Sequence, residues 1–151
     1  MDNIATNTVR IVRTFDAAPG RVFDAWTDAE QFKAWMCPPG AGLDHCELDP
    51  RPGGAWFVRG FAPDGSRFEK GGVYVEVKRP ERLVFTWPYR LQDGCTGGEG
   101  RDTTVDITFR AVGRRTEVTL VHGPFTDASG FNNHDDGWKG SLDKLAAWLA
   151  G

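Results

Sequence analysis

The C-terminal segment of the chain predicts an amphipathic helix that needs a large apolar partner. Four large apolar residues follow the spacing i, i+4, i+7 and i+11, which places them on one helical face: Trp138, Leu142, Leu145 and Leu149. Three glycines, Gly130, Gly137 and Gly140, interrupt this segment, and each lowers helix stability by roughly 1 kcal/mol relative to alanine. A helix with so little intrinsic stability depends on packing, so we expect it to cover an extended apolar surface.

The middle of the chain predicts that surface, because it consists of successive β-strands. Apolar and polar side chains alternate in the segments 72–78, 104–111 and 116–122, as in half-buried strands. In 72–78 the alternation places Val73, Val75 and Val77 on one face. Further strands are predicted at 8–15, 43–48, 55–61 and 83–89, and two short helices between 19 and 35. Short connections favour an antiparallel sheet whose apolar face the last helix covers.

The bulk composition describes an ordinary globular chain. It has 151 residues, 40% hydrophobic and 26% charged, with a net charge of −3, and we expect one domain over residues 1–151. The chain lacks a basic run that would bind nucleic acid, an apolar run of about 20 residues that would span a membrane, and an apolar N-terminal signal. Its three cysteines read as free thiols. These features favour a cytoplasmic protein without a nucleic-acid partner.

Aromatic residues are more abundant than the core of a chain of this size usually requires. The chain contains ten Phe, six Trp and two Tyr, and a solid core of this size seldom needs so many rings. Each ring alone is more often a packing residue than a ligand contact, but together they predict a pocket. We expect the ligand contacts to come from this set and two neighbours: Trp35, Met36, Trp56, Trp87, Tyr89, Phe109, His122, Phe131 and Trp138.

His122 has two interpretations. Alternation places it on the covered face with Val118 and Leu120, at the end of a strand. It is either a core histidine satisfied by a backbone carbonyl or a polar group that orients a ligand inside an apolar cavity.

No motif or residue spacing in the sequence indicates a catalytic or metal-binding site. The sequence has no GxSxG motif beside its histidines and no paired CxxC or HxxxH spacing. Cys37, His45 and Cys46 cluster loosely, but adjacent residues of a strand point to opposite faces. We therefore predict no catalytic residue, no metal ligand and no cofactor, and lean toward a protein that is not an enzyme.

Four stretches, in this order, resemble a known family: FDAAPGRVFDAWTDAEQFKAWM (15–36), GGVYVEVKRPERLVFTW (71–87), VTLVHGPF (118–125) and GWKGSLDKLAAWL (137–149). The chain resembles the START/Bet v 1-like (SRPBCC) superfamily, and within it the family of the activator of Hsp90 ATPase homologue, AHSA1. This resemblance implies an α+β helix-grip fold, with a curved antiparallel sheet of about seven strands, two short helices and a long C-terminal helix. Cys37 departs from the pattern, since many relatives carry glycine there.

The resemblance also implies a cavity between the sheet and the final helix. We expect a protein that binds an apolar or aromatic small molecule, or a lipid, in that cavity. One alternative is a protein-interaction domain of the Hsp90 co-chaperone kind. Another is an enzyme like the polyketide cyclases and hydratases, in which His122 and an acidic or tyrosine partner, such as Tyr89, act as general acid and base. A homodimer through an exposed strand edge is a further expectation.

Overall fold

A computed structural model describes residues 8–37, 40–88, 102–125 and 128–150, which form seven strands and three helices. The elements are β1 (Val9–Phe15), α1 (Pro19–Thr27), α2 (Ala29–Trp35), β2 (Gly42–Leu48), β3 (Ala55–Phe61), β4 (Arg67–Lys78), β5 (Arg82–Pro88), β6 (Asp102–Val112), β7 (Arg115–Gly123) and α3 (Ala128–Ala150). Tyr89, the glycine-rich segment 93–100 and the side chain of Phe131 lie outside what is described.

The strands form a single antiparallel sheet in the order β1-β7-β6-β5-β4-β3-β2. Helices α1 and α2 connect the two edge strands. Helix α1 packs on β6 and β7, α2 packs on β2, and α3 packs on β1 and α2. The sheet is curved around the long C-terminal helix, so the predicted helix-grip fold is confirmed.

The core lies between the sheet and the helices, and β6 and β7 show how alternation builds it. Opposite residues in these strands include the pairs Ile107–Leu120 and Phe109–Val118, and all four side chains are buried. Cross-strand pairs of large apolar residues stabilise a sheet beyond the burial of each side chain. The predicted inward faces of these two strands are therefore confirmed.

The prediction that Val73, Val75 and Val77 share one face of β4 is wrong. Val73 and Val75 are exposed, whereas Tyr74 between them is buried and Val77 packs against the core. The pairing of β4 with β5 shifts between Tyr74 and Glu76. An extra residue in one strand reverses the faces of all residues beyond it.

Helix α3 covers the sheet with the predicted face, since Trp138, Leu142, Leu145 and Leu149 are all buried. Polar contacts fix its position from two sides. Arg13 of β1 forms an ion pair with Asp143 at 2.6 Å, and the Trp148 indole lies 3.5 Å from the side-chain oxygen of Gln31 in α2. Among the described helices, none has the length and apolar character that crossing a bilayer requires.

Candidate functional site

A pocket of about 320 Å³ lies between β2–β5, the end of α2 and α3. Its walls are mainly apolar and aromatic, with a few polar side chains among them. The lining residues are Phe32, Met36, Cys37, Ala41, Leu43, Trp56, Val58, Ala62, Pro63, Phe68, Lys70, Trp87, His134, Gly137, Trp138 and Ser141. Ala41, Ala62 and Pro63 are partly or fully exposed and form the rim.

Four residues of the predicted contact set line this pocket: Met36, Trp56, Trp87 and Trp138. Trp35, Phe109 and His122 are buried elsewhere in the core. Trp35 donates a 2.9 Å hydrogen bond to the carbonyl oxygen of Ala25, and Phe109 packs edge-on against Phe23 at 5.2 Å between ring centroids. The predicted contacts of Tyr89 and Phe131 fall outside the described residues and side chains.

The three pocket tryptophans contact one another in a row. Trp56 stacks on Trp87 with centroids 5.2 Å apart, and Trp87 lies 5.6 Å from Trp138. The Trp56 indole donates a 3.1 Å hydrogen bond to the carbonyl oxygen of Thr86. Gly72 makes this approach possible, because a Cβ there would lie 2.7 Å from Trp56 Nε1 and 2.6 Å from the Thr86 oxygen.

A buried chain of hydrogen bonds fixes two of these tryptophans. Trp138 Nε1 donates to His122 Nδ1 at 2.9 Å, so Nδ1 is an acceptor and the proton of the neutral ring is on Nε2. His122 Nε2 then donates to the hydroxyl of Thr103 at 2.7 Å. Thr103 donates in turn to the carbonyl oxygen of Trp87 at 2.6 Å. Each donor in this series of hydrogen bonds has one acceptor, and all the bonds run in the same direction from Trp138 to the Trp87 carbonyl.

The environment of His122 keeps the ring neutral. Burial lowers its pKa well below the ordinary value, and electrostatic interactions with His134 and Lys70 lower it further. Both ring nitrogens are occupied by Trp138 and Thr103. His122 therefore positions the pocket wall, as in the core interpretation, but with side chains as partners instead of a backbone carbonyl. This arrangement leaves no nitrogen to act as a general base.

Cys37 lines the pocket in an unusual backbone conformation. Its φ angle is +89°, in the left-handed region that glycine adopts without cost. Burial raises the pKa of its thiol to about 11, although Lys144 and Lys70 oppose the shift. The thiol is therefore protonated at neutral pH and faces the pocket as a small, weakly polar group.

Lys70 was missed by the sequence analysis. The predicted strand began at Gly72, whereas β4 begins at Arg67. In the observed strand Lys70 lies opposite Val58 of β3 and both residues line the pocket. The alternation of Phe68, Lys70 and Gly72 carries the signal that would have placed Lys70 on the inner face.

The fold and this pocket together identify the structural superfamily of the protein. A curved antiparallel sheet that grips a long C-terminal helix, with a pocket between them, is the helix-grip architecture of the SRPBCC superfamily. The family described as activator of Hsp90 ATPase homolog 1-like protein matches residues 16–150. The chain belongs to this AHSA1-like family.

Solved structures agree with this assignment. The protein CV1439 from Chromobacterium violaceum is 31% identical, with a TM-score of 0.82 over 93% of this chain and 95% of that one. The AHSA1 protein from Silicibacter pomeroyi is 29% identical, with a TM-score of 0.80 over 95% of this chain and 97% of that one. No curated protein matches the chain significantly in sequence.

Proposed function

We propose that the chain binds an apolar or aromatic small molecule in the pocket between the sheet and α3. The observation that carries this proposal is the row of tryptophans that lines a space of about 320 Å³. Small-molecule sites typically enclose roughly 300–1,000 Å³, with apolar walls and a few converging polar groups. The pocket has both properties.

The energetics favour an aromatic or aliphatic occupant. Each Å² of apolar surface that a ligand removes from water contributes about 25 cal/mol, and flat indole walls offer large contact areas to a ring. Family membership supports either a ligand-binding or a co-chaperone-like role. The pocket favours the first, because it offers an apolar space of ligand size.

Gly137 provides a direct test. It lines the pocket from α3, and a Cβ added there would meet nothing within 4 Å. Gly137→Leu would therefore project a side chain into open space at the pocket, and Gly137→Ala is its matched control. Binding of N-phenyl-1-naphthylamine, a neutral fluorescent probe, can be followed by its own emission and by quenching of the pocket tryptophans.

We expect saturable binding of the probe to the unmodified chain at one site. Gly137→Leu should weaken the affinity by about tenfold or more, because the added side chain occupies ligand volume, whereas Gly137→Ala should change it by less than about threefold. If the chain does not bind the probe saturably, the proposal is wrong. Unchanged affinity in a folded Gly137→Leu variant would place the binding site elsewhere and equally reject it.

A further inference from the structure

We propose, on the basis of the proposed function, that the pocket selects apolar molecules that carry a carboxylate, and that Lys70 holds this anionic group. This goes beyond a general apolar pocket, because it predicts which end of a ligand lies at β4. It also predicts that neutral and cationic molecules of the same shape bind less well.

The charge distribution around the pocket supports an anion. Among the described lining residues, Lys70 is the one with a full positive charge, and none is an aspartate or glutamate. The Lys70 ammonium is shielded from bulk water and lies 5.8 Å from the centroid of the Trp87 ring. Water screens a charge less effectively in such apolar surroundings, so a carboxylate in the pocket would be strongly attracted.

The effect of Lys70 reaches across the site. Burial raises the pKa of Cys37, at the end of α2, and lowers that of His122 on β7, and the charge of Lys70 acts to lower both values. These two residues lie on different elements, so the positive potential extends through the pocket region. A ligand with a cationic group would be repelled there.

Three hydrogen-bond donors of the wall already have acceptors within the protein. The indole of Trp56 donates to Thr86, that of Trp138 to His122, and the Ser141 hydroxyl to the carbonyl oxygen of Gly137 at 2.9 Å. The buried Trp87 Nε1 has no acceptor among the described residues. An oxygen atom beside Trp87 and Lys70 would supply that acceptor.

Lys70 suits this role chemically. An ammonium carries three N–H donors, so it can bind a ligand oxygen together with another acceptor. Hydrogen bonds between an ammonium and a carboxylate are roughly twice as strong as those between neutral groups. The remaining wall binds the apolar body of the ligand.

The experiment compares two probes of one shape, 2-naphthoate and 2-naphthylmethanol, at neutral pH. We expect the unmodified chain to bind the carboxylate about tenfold more tightly than the alcohol. Lys70→Met keeps the approximate length of the side chain but removes its charge, and should reduce this preference below about threefold, chiefly by weakening the binding of the carboxylate. Lys70→Arg, which keeps the charge, should retain most of the preference. Circular dichroism verifies that each variant is folded.

The outcomes separate this inference from the proposed function. Equal affinities for the two probes, or a preference that survives in Lys70→Met, would overturn the role of Lys70 while leaving the pocket as the binding site. A naphthoate that does not bind, in a chain that binds N-phenyl-1-naphthylamine in a Gly137-dependent way, would also overturn it alone. If none of the three probes binds, both proposals are wrong.

Discussion

Trp138 and His122 are joined by a buried hydrogen bond of 2.9 Å that connects α3 to β7. The bond makes a pocket wall residue depend on a core histidine that does not itself line the pocket. Because His122 also donates to Thr103, one imidazole ring on β7 satisfies groups on both α3 and β6. The stability of the site is therefore linked to the protonation and presence of this ring.

Replacing His122 with alanine should lower the free energy of unfolding by about 2–4 kcal/mol. The substitution creates a cavity and leaves the buried Trp138 N–H without its acceptor. Urea denaturation measures the change. His45→Ala is the control, since His45 is partly exposed and its contact with Glu47 should contribute less than about 1 kcal/mol. Equal losses in the two variants would contradict the assigned role of His122.

The stability of the protein should fall as the pH decreases below about 6.5. In the folded state the pKa of His122 is lowered well below that value by burial and by His134 on α3 and Lys70 on β4. The unfolded chain then binds a proton that the folded chain does not, so acid favours unfolding by up to about 1.4 kcal/mol per pH unit. Above about pH 7 both states are neutral at this residue, and its contribution is constant.

Denaturation curves of the unmodified chain and His122→Gln between about pH 5 and pH 8 check this linkage. The difference in unfolding free energy between them should shrink as the pH falls, because glutamine does not titrate. A difference that stays constant over this range would show that His122 does not couple folding to pH.

Two glycine substitutions should have opposite effects on stability. Gly137→Ala should raise the free energy of unfolding by about 0.5–1 kcal/mol, because a Cβ at this helical position meets nothing within 4 Å. Gly72→Ala should lower it, because its Cβ would lie 2.6 Å from the Thr86 carbonyl oxygen and 2.7 Å from Trp56 Nε1. Thermal unfolding compares the two variants, and a stable Gly72→Ala would refute the close approach of Trp56.

Cys37 should react slowly with iodoacetamide in the folded protein. Burial raises the pKa of its thiol to about 11, so the reactive thiolate is on the order of a hundredfold scarcer at neutral pH than in an exposed cysteine. Mass spectrometry of a Cys95→Ser variant follows the reaction, and the same variant in urea gives the reference rate. Alkylation of Cys37 at the same rate in both conditions would contradict this environment.

The repeating patterns of the sequence predicted most of the fold. Period-two alternation in 104–111 and 116–122 identified the buried faces of β6 and β7, and helical spacing identified the buried face of α3. The error in β4 has a physical cause: the shift after Tyr74 arises from pairing with β5, and alternation within one strand contains no information about its partner.

The site was less predictable, because its geometry depends on partners far apart in the chain. Three of the predicted tryptophans and Met36 line one pocket, but the role of His122 depends on Thr103 and Trp138. Cys37 was identified from the sequence as a departure from the resembled pattern, in which many relatives carry glycine. Its φ of +89° gives the reason, since this conformation suits a residue without a side chain.

The attachment of α3 would restrict how a ligand of the proposed kind enters and leaves the pocket. Moving α3 away from the sheet would break the Arg13–Asp143 ion pair at one edge and the Trp138–His122 hydrogen bond at the centre. The opposite margin, at Ala41, Ala62 and Pro63, carries small side chains and lies partly in water. A ligand of the proposed kind should therefore enter across that margin, while α3 stays in place.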